Sequence, residues 1–329
     1  MSSEKSSLQL SVVVPVYNEE ECVEILGQKL HEAVSRIGRS YEIILIDDGS
    51  RDRTWELMTG LTKKYPCFRA IRFRRNFGQT AAMSAGFHAA RGEIIVTLDA
   101  DLQNDPADIP LLLERMDAGF DVVSGWRKNR QDAFINRKLP SMLANALISK
   151  MTGVALHDYG CTLKAYRHEI IKDVHLYGEM HRFIPALASW VGGRIDEVAV
   201  NHHARKFGKS KYGISRTFRV VLDLMTVKFL LQYSTRPIQI FGKIGLVFAG
   251  LAIAMVLGIA GDRLFHHDHG GHYVYLVKRP FWVITPMMFF GFCIQFISMG
   301  LLAEMQIRTY HEAQGKPIYV IKEQAASAE

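Results

Sequence analysis

Short apolar runs rich in β-branched residues recur along the N-terminal two thirds of the chain, each followed by a stretch with helical spacing. Leu10–Val16, Tyr41–Ile46, Phe68–Phe73, Glu93–Leu98 and Asp121–Gly125 read as strands. Glu19–Ile37, Thr54–Tyr65, Thr80–Ala90 and Pro110–Gly119 read as the intervening helices. A strand that is apolar almost throughout is buried on both faces, as in parallel sheets. Strand–helix alternation of this kind calls for an α/β domain with a mostly parallel sheet and helices on both faces. Pro15, which lacks a backbone donor, is expected to confine the first strand's ladder to its beginning. Ligands of such sheets sit beyond the carboxyl ends of the strands, so the residues just after each run are the candidates for chemistry.

Acids gather at those ends. Leu98-Asp99-Ala100-Asp101-Leu102-Gln103 follows the fourth run, Asp47-Asp48-Gly49-Ser50 the second, and Tyr17-Asn18-Glu19-Glu20 the first. Alternation along an extended chain would put Asp99 and Asp101 on one side. Two carboxylates so close repel unless a cation separates them, and oxygen ligands suit Mg²⁺ or Mn²⁺ completed by water and a substrate's phosphates. A solvated acidic turn and ordinary helix caps at Asn18 and Ser50 are the alternatives. No G-x-G-x-x-G follows the first strand and no G-x-x-x-x-G-K-[ST] occurs, which disfavours dinucleotide-binding and P-loop folds.

The 329 residues carry a formal charge of +7, which favours an anionic partner. The basic residues lie beside apolar helical stretches rather than in one tract, and no zinc-finger or RNA-binding signature is present, so a membrane surface is preferred to nucleic acid. Cys22, Cys67, Cys161 and Cys293 form no C-x-x-C pair, which indicates neither a zinc site nor a disulfide framework. Residues 1–9 are polar and read as a disordered leader. The catalytic domain is expected over 10–213. An amphipathic helix over 214–235 suits a membrane interface, with Arg216, Arg219 and Lys228 among apolar residues. Within 236–306, two apolar segments at about 238–260 and 280–303 match the ~30 Å thickness of a bilayer core and predict a transmembrane hairpin. The loop between them carries His266, His267, His269 and His272 and reads as a solvated turn. Residues 307–329 read as a tail returned to the cytosolic side, in line with Arg308, Lys316 and Lys322.

Val-Pro-Val-Tyr-Asn-Glu, Asp-Asp-Gly-Ser, Arg-Asn-Phe-Gly at 75–78 and Asp-Ala-Asp-Leu-Gln at 99–103, in this order, resemble the motifs of family 2 glycosyltransferases of the GT-A (nucleotide-diphospho-sugar transferase) fold. The whole chain, apolar hairpin included, is most similar to the polyprenyl-phosphate glycosyltransferases related to dolichyl-phosphate mannose synthase. That resemblance implies a nucleotide-binding role for Pro15, Tyr17, Glu19, Ile46, Asp48, Asp99 and Ala100. It implies that Asp101 and Gln103 hold Mg²⁺ or Mn²⁺. Arg127, Arg137 and Ser141 match phosphate-handling positions near the acceptor, and Arg205 and Lys211 match a mobile loop that closes over the phosphates. Asp158, in His157-Asp158-Tyr159-Gly160-Cys161, faces the active site in such relatives. The resemblance further implies a bacterial inner-membrane enzyme with a cytosolic catalytic domain, often assembled as a tetramer.

The expected reaction moves a single sugar, with inversion, from a nucleotide-diphosphate donor to a membrane polyprenyl phosphate of the undecaprenyl type. A phosphate monoester is largely ionised near neutral pH, so it attacks without a strong general base, and Asp158 is expected to position rather than abstract. A processive polysaccharide synthase is disfavoured by the two spans and the lack of Gln-x-x-Arg-Trp. A non-catalytic membrane scaffold would not need to keep Asp99, Asp101 and Gln103.

Overall fold

The computed structural model describes residues 8–128, 139–204 apart from 173, 175 and 179, the helical residues 222 and 224–228, isolated helical positions between 284 and 313, and residues 318–326. The chain divides into two compact units, Met1–Leu231 with Pro317–Glu329, and Gln232–Lys316. In chain order the first holds β1 (Leu10–Val16), α1 (Val23–Ser35), β2 (Tyr41–Asp47), α2 (Thr54–Lys64), β3 (Phe68–Phe73), α3 (Gln79–Ala89), β4 (Ile94–Thr97), α4 (Ile109–Asp117), β5 (Val122–Trp126), α5 (Leu139–Thr152), β6 (Lys164–Arg167), α6 (His168–Ile171), α7 (Ile184–Trp190), β7 (Ile195–Ala199) and β8 (Ile321–Ala326).

These strands form one eight-stranded sheet in the order β7-β5-β6-β4-β1-β2-β3-β8. β1 pairs in parallel with β2 and β4, β2 with β3, and β5 with β7. β6 runs antiparallel to both β4 and β5, and β8 runs antiparallel to β3. The pleat sorts side chains between two cores. Leu10, Val12, Val14 and Val16 of β1 face Leu26 and Leu30 of α1, Met58 of α2 and Leu112 of α4. Val13 faces the opposite core with Ile44, Ala82 and Met83 of α3, and Ile184 of α7. Both faces are therefore covered, which is why β1 and β2 carry apolar residues at consecutive positions. α3 approaches β1 so closely that a Cβ on Gly86 would lie 2.1 Å from Val13 Cγ1.

Four expectations change. Pro15 does not end β1: the pairing with β2 continues through Pro15 and Val16. Val13 accepts from Leu98 on the β4 side, so Pro15, two residues on, points its missing donor to the flank where the β4 ladder has already stopped. Asp99 and Asp101 lie beyond the end of β4 at Thr97, so strand alternation does not set their relation. Leu8 and Gln9, expected in the leader, are tied to the fold, because their carbonyls accept backbone bonds from Glu93 and Ile94. The expected tail contributes β8, which completes the edge of the same sheet beside β3. Its polar sequence, exposed on alternate residues, suits an edge strand wetted on one face.

Of the expected interface helix, residues 222 and 224–228 are described: Leu224 and Val227 are buried while Leu222 and Met225 are exposed. The expected span 238–260 and the histidine loop lie outside the described residues, and 280–303 is described only at isolated helical positions. Among the described residues no helix is long and apolar enough to cross a membrane. Cys22, Cys67 and Cys161 are free thiols.

Candidate active site

The loops at the carboxyl ends of β1 and β2 are fastened to each other. Ser50 Oγ accepts from the Asn18 amide at 2.9 Å, Thr54 Oγ1 from the Glu19 amide at 2.9 Å, and Asn18 Oδ1 from the Arg51 amide at 2.9 Å. Asn18 adopts φ 51°, a left-handed turn that asparagine tolerates, so Tyr17 and Glu19 are held beside Asp48 by backbone geometry. Asp47 Oδ1 accepts from the Ser50 amide at 2.8 Å and Asp48 accepts from Phe77 and Gly78 amides at 2.7 and 2.9 Å. Gly49 separates these elements at φ 73°, with a hypothetical Cβ only 2.5 Å from the Arg75 carbonyl carbon. The Arg-Asn-Phe-Gly motif therefore holds the Asp-Asp-Gly-Ser turn through main-chain donors. Burial nevertheless pushes Asp48 up to about 6 against those two hydrogen bonds. Ile46 is a core residue behind this wall and Pro15 lies half-buried at its base.

The second acidic group follows β4. Ala100 and Asp101 are buried, Leu102 takes φ 61°, and the Gln103 amide donates to Asp101 Oδ1 at 3.2 Å. Asp99 Oδ1 accepts from the Gln79 side-chain amide at 2.7 Å. Burial, then the charge of Asp101, pushes Asp99 up to about 6, although Arg127 and Lys164 pull the other way. The charge of Asp101 thus reaches Asp99 through the turn after the strand. Asp99, Asp101 and Gln103 offer only oxygen donors of the hard kind that Mg²⁺ and Mn²⁺ accept. Among the described residues no cluster of three or more His, Cys, Asp and Glu side chains could hold a metal. That small donor set fits an ion that keeps places for phosphate oxygens and water.

The third group gathers where β5, β6 and β7 meet. Arg127 forks onto Asp158, with Nε at 2.7 Å from Oδ2 and Nη2 at 2.9 Å from Oδ1. Burial works against the arginine's charge, but these bonds to Asp158 hold it firmly charged. Lys164 is buried and donates to the carbonyls of Tyr159 and Cys161, and its burial lowers its affinity for the proton. The intervening Thr162 ties this loop to the β4 end: its carbonyl accepts from Thr97 Oγ1 at 2.8 Å and its hydroxyl from Asn104 Nδ2 at 2.9 Å. Arg137, Arg205 and Lys211 lie outside the described residues, and Ser141 is described only as a backbone position in α5. The chain leading to Arg205 is nevertheless fixed to the acidic motif. The His203 amide donates to Gln103 O and its Nε2 pairs with Asp105 Oδ2, both at 2.9 Å.

Gln79, Thr162, Asn104 and Lys164 were not singled out by the sequence. Gln79 directly follows the Arg-Asn-Phe-Gly motif, a position that could have drawn notice. Thr162 and Asn104 take their partners from distant segments, whereas Lys164 donates to carbonyls three and five residues before it.

The family model for glycosyl transferase family 2 matches residues 11–174. The chain is 45% identical over 324 residues to a dodecaprenyl-phosphate galacturonate synthase from Rhizobium johnstonii, covering 96% of this chain and 93% of that relative. It is 38% identical to an undecaprenyl-phosphate 4-deoxy-4-formamido-L-arabinose transferase from Pectobacterium atrosepticum, covering 97% and 94%. Among solved structures it resembles a glucosyl-3-phosphoglycerate synthase from Mycobacterium tuberculosis bound to Mn²⁺ and UDP. The TM-score is 0.54 at 16% identity, over 69% of this chain and 81% of that one, a likeness of fold. With the sheet, the acidic strand ends and these similarities together, the chain belongs to glycosyl transferase family 2.

Proposed function

We propose that this glycosyltransferase moves one sugar from a nucleotide-diphosphate donor to the phosphate of a membrane polyprenyl carrier, with inversion at the anomeric carbon. The observation that carries the reading is the acidic turn after β4, where buried Asp101 accepts from the Gln103 amide at 3.2 Å and Asp99 accepts from the Gln79 side chain at 2.7 Å. Asp101 and Gln103 would hold a divalent ion there. When bound, that ion supplies a Lewis acid that neutralises the departing diphosphate. Pro15, Tyr17, Glu19, Ile46, Asp48, Asp99 and Ala100 would bind the nucleotide, in a wall already fixed by the Asn18–Ser50 and Glu19–Thr54 hydrogen bonds. Arg127 would present its guanidinium to the carrier phosphate while Asp158 keeps it oriented, a role suited to a planar, bidentate donor. Arg137, Ser141, Arg205 and Lys211 would add further contacts to the phosphates. No general base is required, because the attacking phosphate is already anionic.

The carriers in the relatives' names are lipids, which favours a membrane location. The chain leaves the first unit after Leu231 and re-enters the same sheet as β8. A hairpin of two spans would return the chain to the side it left, as that shared sheet requires, and would keep the catalytic unit on one side of the bilayer.

Membranes containing the full chain, given labelled nucleotide sugars and undecaprenyl phosphate, test the reaction. The nucleotide forms of galacturonate and of 4-deoxy-4-formamido-L-arabinose come first in the panel. The expected result is label in the lipid extract that depends on Mg²⁺ or Mn²⁺. Nucleotide-sugar hydrolysis without lipid labelling by any donor would contradict the acceptor assignment.

A further inference from the structure

The Arg127–Asp158 pair depends on a carboxylate that neither touches Arg127 nor belongs to any of the motifs. Glu197 lies on β7 opposite Ser124 of β5, and its side chain is 10% exposed. It accepts from the His157 amide at 3.1 and 3.0 Å to its two oxygens, and from the Asp158 amide at 3.0 Å. His157 Nδ1 lies 2.8 Å from the same carboxylate, and the imidazole stacks on Trp126 at 4.3 Å between ring centres, tilted by 18°. Trp126 and Arg127 are consecutive residues at the end of β5. One acid on β7 therefore fixes the backbone that carries Asp158, while the ring beside Asp158 rests on the residue before Arg127.

A carboxylate accepting main-chain donors is a stiff support, since backbone amides have little freedom to move. Asp158 meets the arginine with both oxygens, and a bidentate contact tolerates little displacement. Loss of the support would let the 157–158 segment shift, and misplacement by about 1 Å at a reacting centre lowers rates by up to about 100-fold. We infer that Glu197 is a positioning residue for the proposed transfer: it sets the 157–158 backbone so that Asp158 can aim Arg127 at the acceptor phosphate. This rests on the reading of Arg127 and Asp158 given above.

Glu197→Gln tests it, because the amide keeps the shape but one of its two termini becomes a donor facing a backbone N–H. In the full chain, the expected result is a ~10- to 100-fold fall in kcat for lipid transfer. Nucleoside diphosphate affinity should stay near wild type, because the β1, β2 and β4 loops are untouched. Asp158→Asn with Glu197→Gln should be little worse than Asp158→Asn alone, since the two act on one contact. An activity-independent readout comes from the arginine Nε–H signals of the labelled protein. One slowly exchanging signal, assigned by its loss in Arg127→Lys, should become fast-exchanging in Glu197→Gln. If wild-type protein transfers no sugar, the reaction assignment fails, and this exchange measurement still decides the role of Glu197. Unchanged protection of Arg127 in Glu197→Gln, or a fall in nucleotide affinity as large as the fall in kcat, would overturn the inference.

Discussion

The two ends of the central parallel strands treat buried acids in opposite ways. At the amino end, Glu42 on β2 is almost fully buried and is met by Arg69 at 2.8 Å, Arg91 at 3.0 Å and Ser11 Oγ at 2.8 Å. Burial alone would raise its pKa, but the hydrogen bonds from Arg69, Ser11 and Arg91 outweigh it and leave the carboxyl below its usual range. At the carboxyl end, Asp48 is met by two backbone amides and Asp99 by the neutral side chain of Gln79, and burial pushes each up to about 6. Where the fold supplies arginines, the acid serves the structure. Where it supplies only neutral hydrogen-bond donors, burial wins and the carboxyl is harder to ionise. Two carboxyl-end acids depart from the pattern: Asp47 pairs with Arg72 at 3.1 Å behind the Asp-Asp-Gly-Ser turn, and Asp158 pairs with Arg127, which is why we read Asp158 as aiming Arg127 rather than as binding metal.

The largest effect that would sharpen this contrast is at Arg127. Arg127→Met leaves Asp158 buried without its countercharge, and breaking such a pair costs about 3–5 kcal/mol. Chemical denaturation should show that loss, and adding Asp158→Asn should recover part of it because the two residues are coupled. Additive losses would break the account of the pair.

A smaller effect is expected at Glu42. Its pKa is lowered in the folded state, so its contribution is present above the usual glutamate value and is lost as pH falls through the folded value. Glu42→Gln should therefore lose about 1.5–3 kcal/mol near neutral pH, and the gap to wild type should close as the pH drops below about 4. Denaturation midpoints across pH check this. A gap that stays constant would remove the ion pairs as its cause.

Asp48 predicts the opposite slope. Its folded pKa is raised, so its contribution is fullest below the usual aspartate value and is lost as pH rises through about 6. Relative to Asp48→Asn, wild type should lose stability as pH rises from about 4 to 6, while the amide's poorer fit to the Phe77 and Gly78 donors adds only a constant offset that leaves this slope unchanged. Nucleotide affinity should fall in the variant. Parallel slopes for the Glu42 and Asp48 variants would erase the difference between the two ends.

The sequence makes the contrast half visible. The strands β1 to β5, their two-sided burial and the acids beyond their ends all follow from local pattern, because apolar runs and turn residues leave a short-range signature. β6, β7 and β8 did not appear as sheet strands. Lys164–Arg167 enters antiparallel between β4 and β5, and Ile321–Ala326 is polar and pairs with a strand about 250 residues earlier. Pairing order is set by tertiary packing, and no periodicity records it. The site divides in the same way. Asp99, Asp101, Asp48 and Asp158 sit in compact motifs. Gln79, Glu42 and Glu197 acquire their roles only when Asp99, Arg91 and the His157–Asp158 backbone come to them across the fold.

Binding of Mn²⁺, followed by loss of its free-ion electron paramagnetic resonance signal with UDP or GDP present, tests the central claim most directly. The account predicts one ion per chain in wild type with at least one of the two nucleotides, the same in Arg127→Lys, and loss of that binding in a folded Asp101→Asn variant. Undiminished Mn²⁺ binding in Asp101→Asn would contradict it.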